Sequence, residues 1–396
     1  MKKALAELGR KIFDKYFFIF LFIFSCFNFN NQASAQETAT NTKLRISILT
    51  CDAGSDIYTI WGHTAVRVVD SLNNTDYVFN FGTFDFETPN FIAKFMRGDL
   101  NYFIAANDFS TFYKEYKENG RAVHEQVLKL TPTEKESWYQ ALIVNMREEN
   151  KFYLYNFISD NCTTRIKDGL FKHAPINGYS IGIHSYREEV VGATYKGGLG
   201  WIGLGIDLLL GATSDKTPNL FQEAFLPALL YKKIELNPKL VLAKNEIIPA
   251  GKPIEKGISP VTYLMLFLLI YLFVSNWNAS ATQKIAKVLD VTLLILFGIC
   301  GVLVLYMSQF SLHTACHENY NIIWLHPLYL LAIPVYFISK KWAGYLGYLF
   351  FTATALLMFA SHWIPQHFSK SVIVLMIIAL YLQLRLIKRG RLAKYK

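Results

Sequence analysis

Long apolar stretches dominate the last third of the chain. Each has 18 to 21 mostly aliphatic or aromatic residues, with polar residues concentrated between the stretches. An α-helix needs about 20 apolar residues to cross the hydrocarbon core of a bilayer. The pattern predicts an all-α membrane domain at residues 258–396 with five transmembrane helices, at 259–276, 288–308, 321–339, 342–361 and 369–387.

Basic residues indicate the orientation of this domain. When residue 258 is placed outside the cytoplasm, the inner loops and the tail carry ten lysines and arginines, and the outer loops carry only Lys370. Positive residues accumulate on the cytoplasmic side of membrane proteins. An odd number of spans places the two flanks on opposite sides, so the preceding part of the chain is predicted to be exported.

The N-terminus independently indicates export. Basic residues in the first fifteen positions precede the apolar run 16–27 and the tripeptide Ala-Ser-Ala at 33–35. This order is typical of a secretory signal, and we expect residues 1–35 to be a cleaved signal peptide. A lipid-anchored start at Cys26 and an uncleaved anchor are alternatives, and both also place the following residues outside the cytoplasm.

The exported part combines strand and helix patterns. Residues 44–50 and 61–69 are typical of strands, whereas the capping box TPTE at 131–134 predicts the start of a helix. We therefore expect a mixed α/β domain at 36–232. Prolines, glycines and mixed charge predict a linker at 233–257.

Composition and charge exclude several classes of protein. The 396 residues are 52% hydrophobic and 18% charged, with a mean hydropathy of +0.22, which excludes disordered, collagen-like and coiled-coil chains. The net charge is +10, but the excess lies in the signal and the membrane domain, and residues 36–257 carry a net charge of −2. Without a basic face there, no nucleic-acid partner is expected.

A nucleophile for covalent chemistry is offered by Cys162. Among five cysteines it stands out because Asp160 and Asn161 predict the start of a helix immediately before it. Free amides and the positive helix end favour a thiolate there, and the same amides can hold an oxyanion. The alternative is a disulfide with Cys51 or Cys316, since exported cysteines often pair.

The natural base for this thiol is His63. It lies at the head of a predicted strand after Gly62, and a strand holds an imidazole more rigidly than a loop does. Alone, His63 fits a structural histidine at least as well. Together with Cys162 it forms the minimal activated-cysteine pair, with the base preceding the nucleophile by ninety-nine residues.

This order is permuted relative to ordinary papain-like peptidases and resembles the lecithin:retinol acyltransferase-like branch of that superfamily. Several separated motifs are more specific: GHTAVR at 62–67, NFGTFDF at 80–86, PNF at 89–91, DNCTTR at 160–165, GIDLLLG at 205–211 and NYNIIWLHPL at 319–328. Together they resemble the Lnb-type lipoprotein N-acyltransferases. The resemblance implies a permuted papain-like α/β domain in front of the membrane domain.

The resemblance implies an enzyme of the bacterial inner membrane with a periplasmic catalytic domain. It would move a fatty acyl group from a membrane phospholipid to the N-terminal cysteine amine of a lipoprotein. In this chain Cys162 would carry the acyl group as a thioester and His63 would be the general base. To orient the imidazole we expect Asn80, on the following strand, with Asp160 as the rival.

Substrate contacts are expected at two places. Arg165, with Asp160 and Asn161 beside it, is placed to bind the phosphate diester, although a solvated surface arginine fits equally well. In the outer loop 309–321, His313 and Asn319 are the expected contacts.

Cofactors are not expected. The outer loop also contains Cys316, His317 and Glu318, but no closed four-ligand metal pattern occurs, and glycine-rich phosphate loops are absent from the sequence. Asp290, within the second span, is expected to reach the inner interface without a part in the chemistry.

Two other classes of function remain open. A membrane-anchored cysteine hydrolase, either a phospholipase or a cell-wall peptidase, would use the same pair of residues, because transfer differs from hydrolysis mainly in water exclusion and acceptor positioning. A non-catalytic membrane scaffold would hold Cys162 in a disulfide.

Overall fold

The computed structural model of the chain describes residues 43–174, 178–251 and 258–391. These residues form an N-terminal antiparallel sheet domain followed by a helical region. The predicted signal peptide, residues 1–35, lies outside the described residues.

Seven strands form one sheet with the order β6-β4-β3-β2-β1-β5-β7, and all neighbouring strands are antiparallel. The interior strand β1, between β2 and β5, is buried along almost its whole length. The strands are β1 Leu44–Cys51, β2 His63–Asp70, β3 Thr75–Thr83, β4 Asn101–Asp108, β5 Val123–Leu128, β6 Phe152–Leu154 and β7 Val241–Ile248.

The edge strand β7 lies inside the segment that the sequence analysis assigns to a linker, residues 233–257. It pairs with β5 along its length, with bulges at both ends. Backbone hydrogen bonds to an existing sheet edge hold this mostly exposed strand, so its weak apolar pattern does not reveal it. The assignment of 233–251 to a linker is wrong, and 252–257 lie outside the described residues.

Eight α-helices accompany the sheet in the described residues. The third begins with the predicted capping box. The Thr131 hydroxyl accepts from the Glu134 backbone N–H at 3.3 Å, and the Glu134 carboxylate accepts from the Thr131 backbone N–H at 2.7 Å. The helices are α1 Phe91–Arg97, α2 Phe109–Glu118, α3 Pro132–Asn145, α4 Glu148–Lys151, α5 Cys162–His173, α6 Tyr186–Lys196, α7 Gly200–Leu209 and α8 Pro227–Glu235.

Packing of α5 on the sheet positions the predicted nucleophile. The helix lies against β2 and β3 and inserts Ile166 and Leu170, both fully buried, into the core with Trp138 of α3. Because these apolar residues fix the helix axis, the first residue of α5, Cys162, is held at the end of β2 where His63 begins that strand.

The C-terminal region contains five apolar helices: α9 Pro260–Asn276, α10 Ser280–Gln309, α11 Tyr329–Ile338, α12 Lys340–Ala360 and α13 Lys370–Arg391. Within the described residues, three of them, α10, α12 and α13, are long and apolar enough to cross a membrane. The helices α9 and α11 are shorter. Much of the third predicted span, residues 321–339, is not α-helical, because Pro327 follows a short 3₁₀ helix at Tyr320–Ile323 and α11 begins only after it.

Asp290 does not reach the inner interface as expected. Its carboxylate is buried between helices, where it forms an ion pair with Arg385 at 2.7 Å and accepts hydrogen bonds from the hydroxyls of Tyr271 and Tyr336. A buried carboxylate is retained in an apolar bundle when its oxygens are fully paired. Asp290 therefore connects four helices, α9, α10, α11 and α13.

The sheet domain and the helical region meet at α7 and the loop after α10. The backbone N–H of Gly211 donates to the Ala315 carbonyl at 2.9 Å. A Cβ at Gly211 would lie 1.8 Å from the His317 carbonyl oxygen, so only glycine permits this approach. The Asn319 side chain donates to the carbonyls of Leu208 and Leu209, at 2.9 and 3.0 Å.

Candidate active site

The structure brings the predicted nucleophile and base together. Cys162 opens α5 and His63 opens β2, and the thiol is in hydrogen-bonding contact with the imidazole. The backbone N–H of Thr64, next to the base, also donates to the sulfur. Packing fixes both the start of α5 and the start of β2, and therefore places the Cys162 thiol next to the His63 imidazole.

Asn80 is placed to orient the base. The His63 Nε2 lies 3.2 Å from the Asn80 Oδ1, on the adjacent strand β3. The Asn80 amide nitrogen donates to the Val78 carbonyl at 3.2 Å, which fixes the direction of the amide. With Nε2 engaged by Asn80, the other ring nitrogen, Nδ1, is left for the thiol.

The surroundings of Cys162 favour its thiolate. Burial raises the pKa of this thiol, but the charge of His63 and its hydrogen bond, the Thr64 N–H and the Thr163 hydroxyl together outweigh burial. The pKa of Cys162 is therefore lower than that of an ordinary cysteine.

The other thiols near this site differ from Cys162. Burial raises the pKa of Cys51 to about 12, and burial likewise raises the pKa of Cys316 to about 12. All four described cysteines, including Cys162 and Cys300, are free, so the alternative disulfide to Cys51 or Cys316 is absent from the structure. Of the thiols of Cys51, Cys162 and Cys316, only that of Cys162 has a lowered pKa.

Asn161 forms the cap that begins α5. Its Oδ1 accepts hydrogen bonds from the Thr163 and Thr164 amides at 2.8 and 2.9 Å, and its Nδ2 donates to the carbonyls of Phe157 and Phe225. The expectation that several first-turn amides bind an oxyanion is therefore wrong, because the cap occupies two of them. The amide of Cys162 itself remains for that role.

Replacing Asn161 with alanine is expected to lower the free energy of unfolding of the domain. The substitution removes a cap and leaves two buried carbonyls unpaired, at a cost of about 2 kcal/mol. For a domain of this size the midpoint of thermal unfolding of the detergent-solubilised protein should fall by about 4–8 °C. Asn150→Ala, which removes an exposed amide hydrogen bond, is the matched control. Equal midpoints for both variants would contradict the capping role.

Two contacts at the site were not predicted from the sequence. Gly82 on β3 has a φ of +84°, and a Cβ there would lie 3.3 Å from the Cys162 Cβ, so a larger residue would crowd the nucleophile. The hydroxyls of Thr64 and Thr163 are hydrogen bonded at 3.0 Å and join β2 to α5. The sequence signals were the position of Gly82 two residues after Asn80 in the NFGTFDF motif, and the positions of Thr64 and Thr163 directly after His63 and Cys162.

Asp160 and Arg165 form a separate pair. The guanidinium makes a bidentate ion pair with the carboxylate, at 2.6 and 2.8 Å, and stacks on the Tyr153 ring at 3.6 Å. Asp160 therefore neither caps α5 nor orients His63, and Arg165 is outside the lining of the Cys162 cavity. The expectation that both contact substrate has no support from their positions, because each satisfies the other.

A large apolar cavity opens at Cys162. Its volume is about 530 Å³, within the range of small-molecule sites. Cys162 and His63 lie in its wall, and most of the remaining lining is aromatic or aliphatic. Examples from both the sheet domain and the helical region are Trp61, Phe84, Tyr102, Ile206, Phe225 and Met307.

The two outer-loop residues predicted to contact substrate have different positions. His313 lines the cavity, but its Nε2 is hydrogen bonded to the Phe95 carbonyl at 2.7 Å. Asn319 is buried and is not among the cavity residues, since its side chain binds the end of α7. Among the described residues, no group of three His, Cys, Asp or Glu side chains is placed to hold a metal ion.

Comparison with protein families gave two matches. Residues 31–186 match the Lnb N-terminal periplasmic domain, and residues 252–394 match the Lnb transmembrane domain. Searches of curated proteins and of solved structures found no match. Both domains of one family occur in order and cover the site and the helical region. The chain therefore belongs to the Lnb family and is a membrane protein with a periplasmic domain.

Proposed function

We propose that this protein is a cysteine-dependent lipoprotein N-acyltransferase. The observation that carries the proposal is the activated Cys162 and His63 pair in the wall of a 530 Å³ apolar cavity. A peptide or sugar substrate would need polar partners in such a cavity, whereas an acyl chain needs apolar walls. The acyl donor is a membrane phospholipid and the acceptor is the N-terminal cysteine amine of a lipoprotein.

In the first half-reaction the Cys162 thiolate attacks the carbonyl carbon of the phospholipid ester. A C–S bond forms, and the tetrahedral oxyanion then collapses with cleavage of the C–O bond. The departing lysophospholipid oxygen takes a proton from the protonated His63. The acyl group remains on Cys162 as a thioester, with its chain in the cavity.

In the second half-reaction the lipoprotein amine attacks the thioester carbonyl. His63, now neutral, accepts a proton from the amine, a C–N bond forms, and the C–S bond breaks. The Cys162 thiolate and the His63 imidazolium are regenerated. Apolar walls favour this outcome over hydrolysis because they exclude water from the thioester.

Two donors are proposed for the oxyanion. The first is the amide of Cys162, which the Asn161 cap leaves free. The second is the hydroxyl of Tyr155, a residue that lines the cavity and interacts electrostatically with the Cys162 sulfur. No hydrogen-bond partner for this hydroxyl is found in the part of the chain that the structure describes. Burial and the Cys162 charge raise the pKa of Tyr155, so it stays a protonated donor.

Replacing Tyr155 with phenylalanine is expected to lower kcat about 100-fold, the effect of removing one oxyanion donor, with little change in KM. The assay is acyl transfer from vesicle phospholipid to a diacylated lipopeptide. Tyr102→Phe is the matched control, because the Tyr102 ring stacks on Tyr155 in the same cavity. Equal effects of the two substitutions would remove Tyr155 from the mechanism.

The helical region is proposed to cross the bacterial inner membrane five times. Three helices have the length for this. The 17 residues of α9 extend about 26 Å, close to the hydrocarbon thickness, and α11 follows a 3₁₀ segment that adds length. The sheet domain, with His63 on a strand before Cys162 on a helix, is proposed to be a permuted papain-like domain.

Mass spectrometry of a lipoprotein's N-terminal peptide tests the proposed function. Purified protein in vesicles is incubated with a diacylated lipopeptide, and the expected product has one additional amide-linked acyl chain. An unchanged peptide mass would refute acyl transfer. Release of free fatty acid without this product would favour a phospholipase that uses the same residues.

A further inference from the structure

The mouth of the cavity is bordered by an aromatic rim, defined here as Ile57, Tyr58, Phe86, Ile92 and Phe95. These side chains are 49% to 72% exposed. All except Ile92 also line the cavity, and the Tyr58 and Phe86 rings are in edge contact at 5.8 Å. Exposed apolar side chains that continue the wall of an apolar cavity mark an interaction surface rather than ordinary surface.

The rim is attached to the membrane domain close to the end of a long apolar helix. The Leu312 N–H donates to the Arg97 carbonyl at 2.7 Å, and His313 binds the Phe95 carbonyl. Gly98, with a φ of +82°, permits this contact, because a Cβ there would lie 3.1 Å from the Leu312 Cβ. The rim helix α1 is therefore fixed three residues beyond the end of α10 at Gln309.

The position of the rim near the end of α10 indicates that the partner of this surface is the lipid bilayer. α10 is the longest helix able to cross the membrane, and its first turns carry Lys284 and Lys287, which favour the cytoplasmic side. Its other end, at Gln309, is therefore placed near the outer membrane surface. Phe310 and Leu312 are also exposed and continue the apolar surface from α10 to the rim. Lys94 lies in the last turn of α1, where a basic side chain can reach lipid headgroups, whereas Arg97 in the same turn forms an ion pair with Asp99 at 2.6 Å.

We propose that the aromatic rim inserts into the outer leaflet of the membrane and that the donor acyl chain passes sideways from the bilayer into the cavity between the rim residues. The insertion follows from the rim's own exposure and attachment, whereas the identity of the passing chain as acyl donor rests on the proposed function. The rim keeps the chain in apolar surroundings from the leaflet to Cys162, so its methylenes do not cross water.

Rim insertion is tested without any enzymatic activity. In full-length protein carrying Cys162→Ala, Ile92→Cys is labelled with an environment-sensitive dye and placed in vesicles containing brominated phosphatidylcholine. Strong quenching is expected. Leu72→Cys is the matched control. Leu72 is also exposed, but it lies beyond the far end of β2, which is about 23 Å along the strand from His63. Equal, weak quenching at both positions would overturn the proposal.

Lateral passage is tested with Ile92→Asp, and Leu72→Asp is the matched control. With vesicle phospholipid as donor, Ile92→Asp is expected to raise KM about 10-fold with kcat retained, because a carboxylate disfavours insertion. With water-soluble dihexanoyl phosphatidylcholine as donor, both variants should match the wild type. Equal losses with both donors would overturn lateral passage. Inactivity of the wild type with both donors would instead refute the proposed function, and the quenching experiment would still decide rim insertion.

Discussion

Replacing Cys162 with alanine is expected to abolish the N-acylated product, with a loss of at least about 10⁴-fold, because no other described thiol can form the thioester. The measurement is the mass of the lipopeptide product after incubation with vesicles. The wild-type protein given donor without acceptor should carry one acyl group on the peptide that contains Cys162, and hydroxylamine should release it. The variant should carry none.

The control for this result is Cys316→Ala. Cys316 lines the same cavity, and its buried thiol has a raised pKa, so its removal should leave transfer within a few-fold of the wild type. Product formation by Cys162→Ala at a rate near that of Cys316→Ala would contradict the thioester mechanism. Acylation of Cys316 in the wild type would move the nucleophile to the loop after α10.

Replacing His63 with alanine is expected to lower kcat by about 10²- to 10⁴-fold, since both half-reactions need its proton transfers. The same variant should change the pH dependence of Cys162 alkylation by iodoacetamide. Without the imidazole, burial is the largest influence on the thiol, so the Cys162 pKa should rise. As the pH falls, the wild-type protein loses the reactive thiolate only when the pH reaches the lowered pKa of Cys162. The variant has a higher Cys162 pKa and therefore loses the thiolate at a higher pH.

His124→Ala is the control for this experiment. His124 lies on β5, two strands from His63 in the sheet, and faces Asp52 at 3.7 Å. Its removal should leave both the transfer rate and the alkylation profile of Cys162 unchanged. An unchanged alkylation profile in His63→Ala would show that thiol and imidazole are not coupled, and the catalytic pair would have to be abandoned.

The pairing of His63 with Cys162 followed from local signals. A histidine at a strand head and a cysteine at a helix start each have a strong sequence pattern, and the family motifs contain both. The position of Asn80 beside His63 also follows from sequence, because β3 is the next strand and antiparallel neighbours place their residues side by side.

The errors concerned side chains with several alternative partners. Asp160 lies one residue before the cap Asn161 and was the rival for orienting His63, yet its partner is Arg165, five residues on. Asp290 was expected to reach the interface, but Arg385, ninety-five residues later, supplies its counter-charge. Neither the local pair nor the distant one has a periodic signature in one sequence, so packing decides both partners.

The sequence by itself determined the periplasmic domain, the membrane domain, the α/β pattern and the pairing of His63 with Cys162. These depend on hydrophobicity, charge and short capping patterns, which act over a few residues to a few turns. Only the tertiary structure decided that β7 extends the edge of the sheet, that the Asn161 cap occupies two first-turn amides, and that a cavity with an aromatic rim at its mouth opens at Cys162. Each depends on residues from distant segments packing together, and no local pattern encodes that proximity.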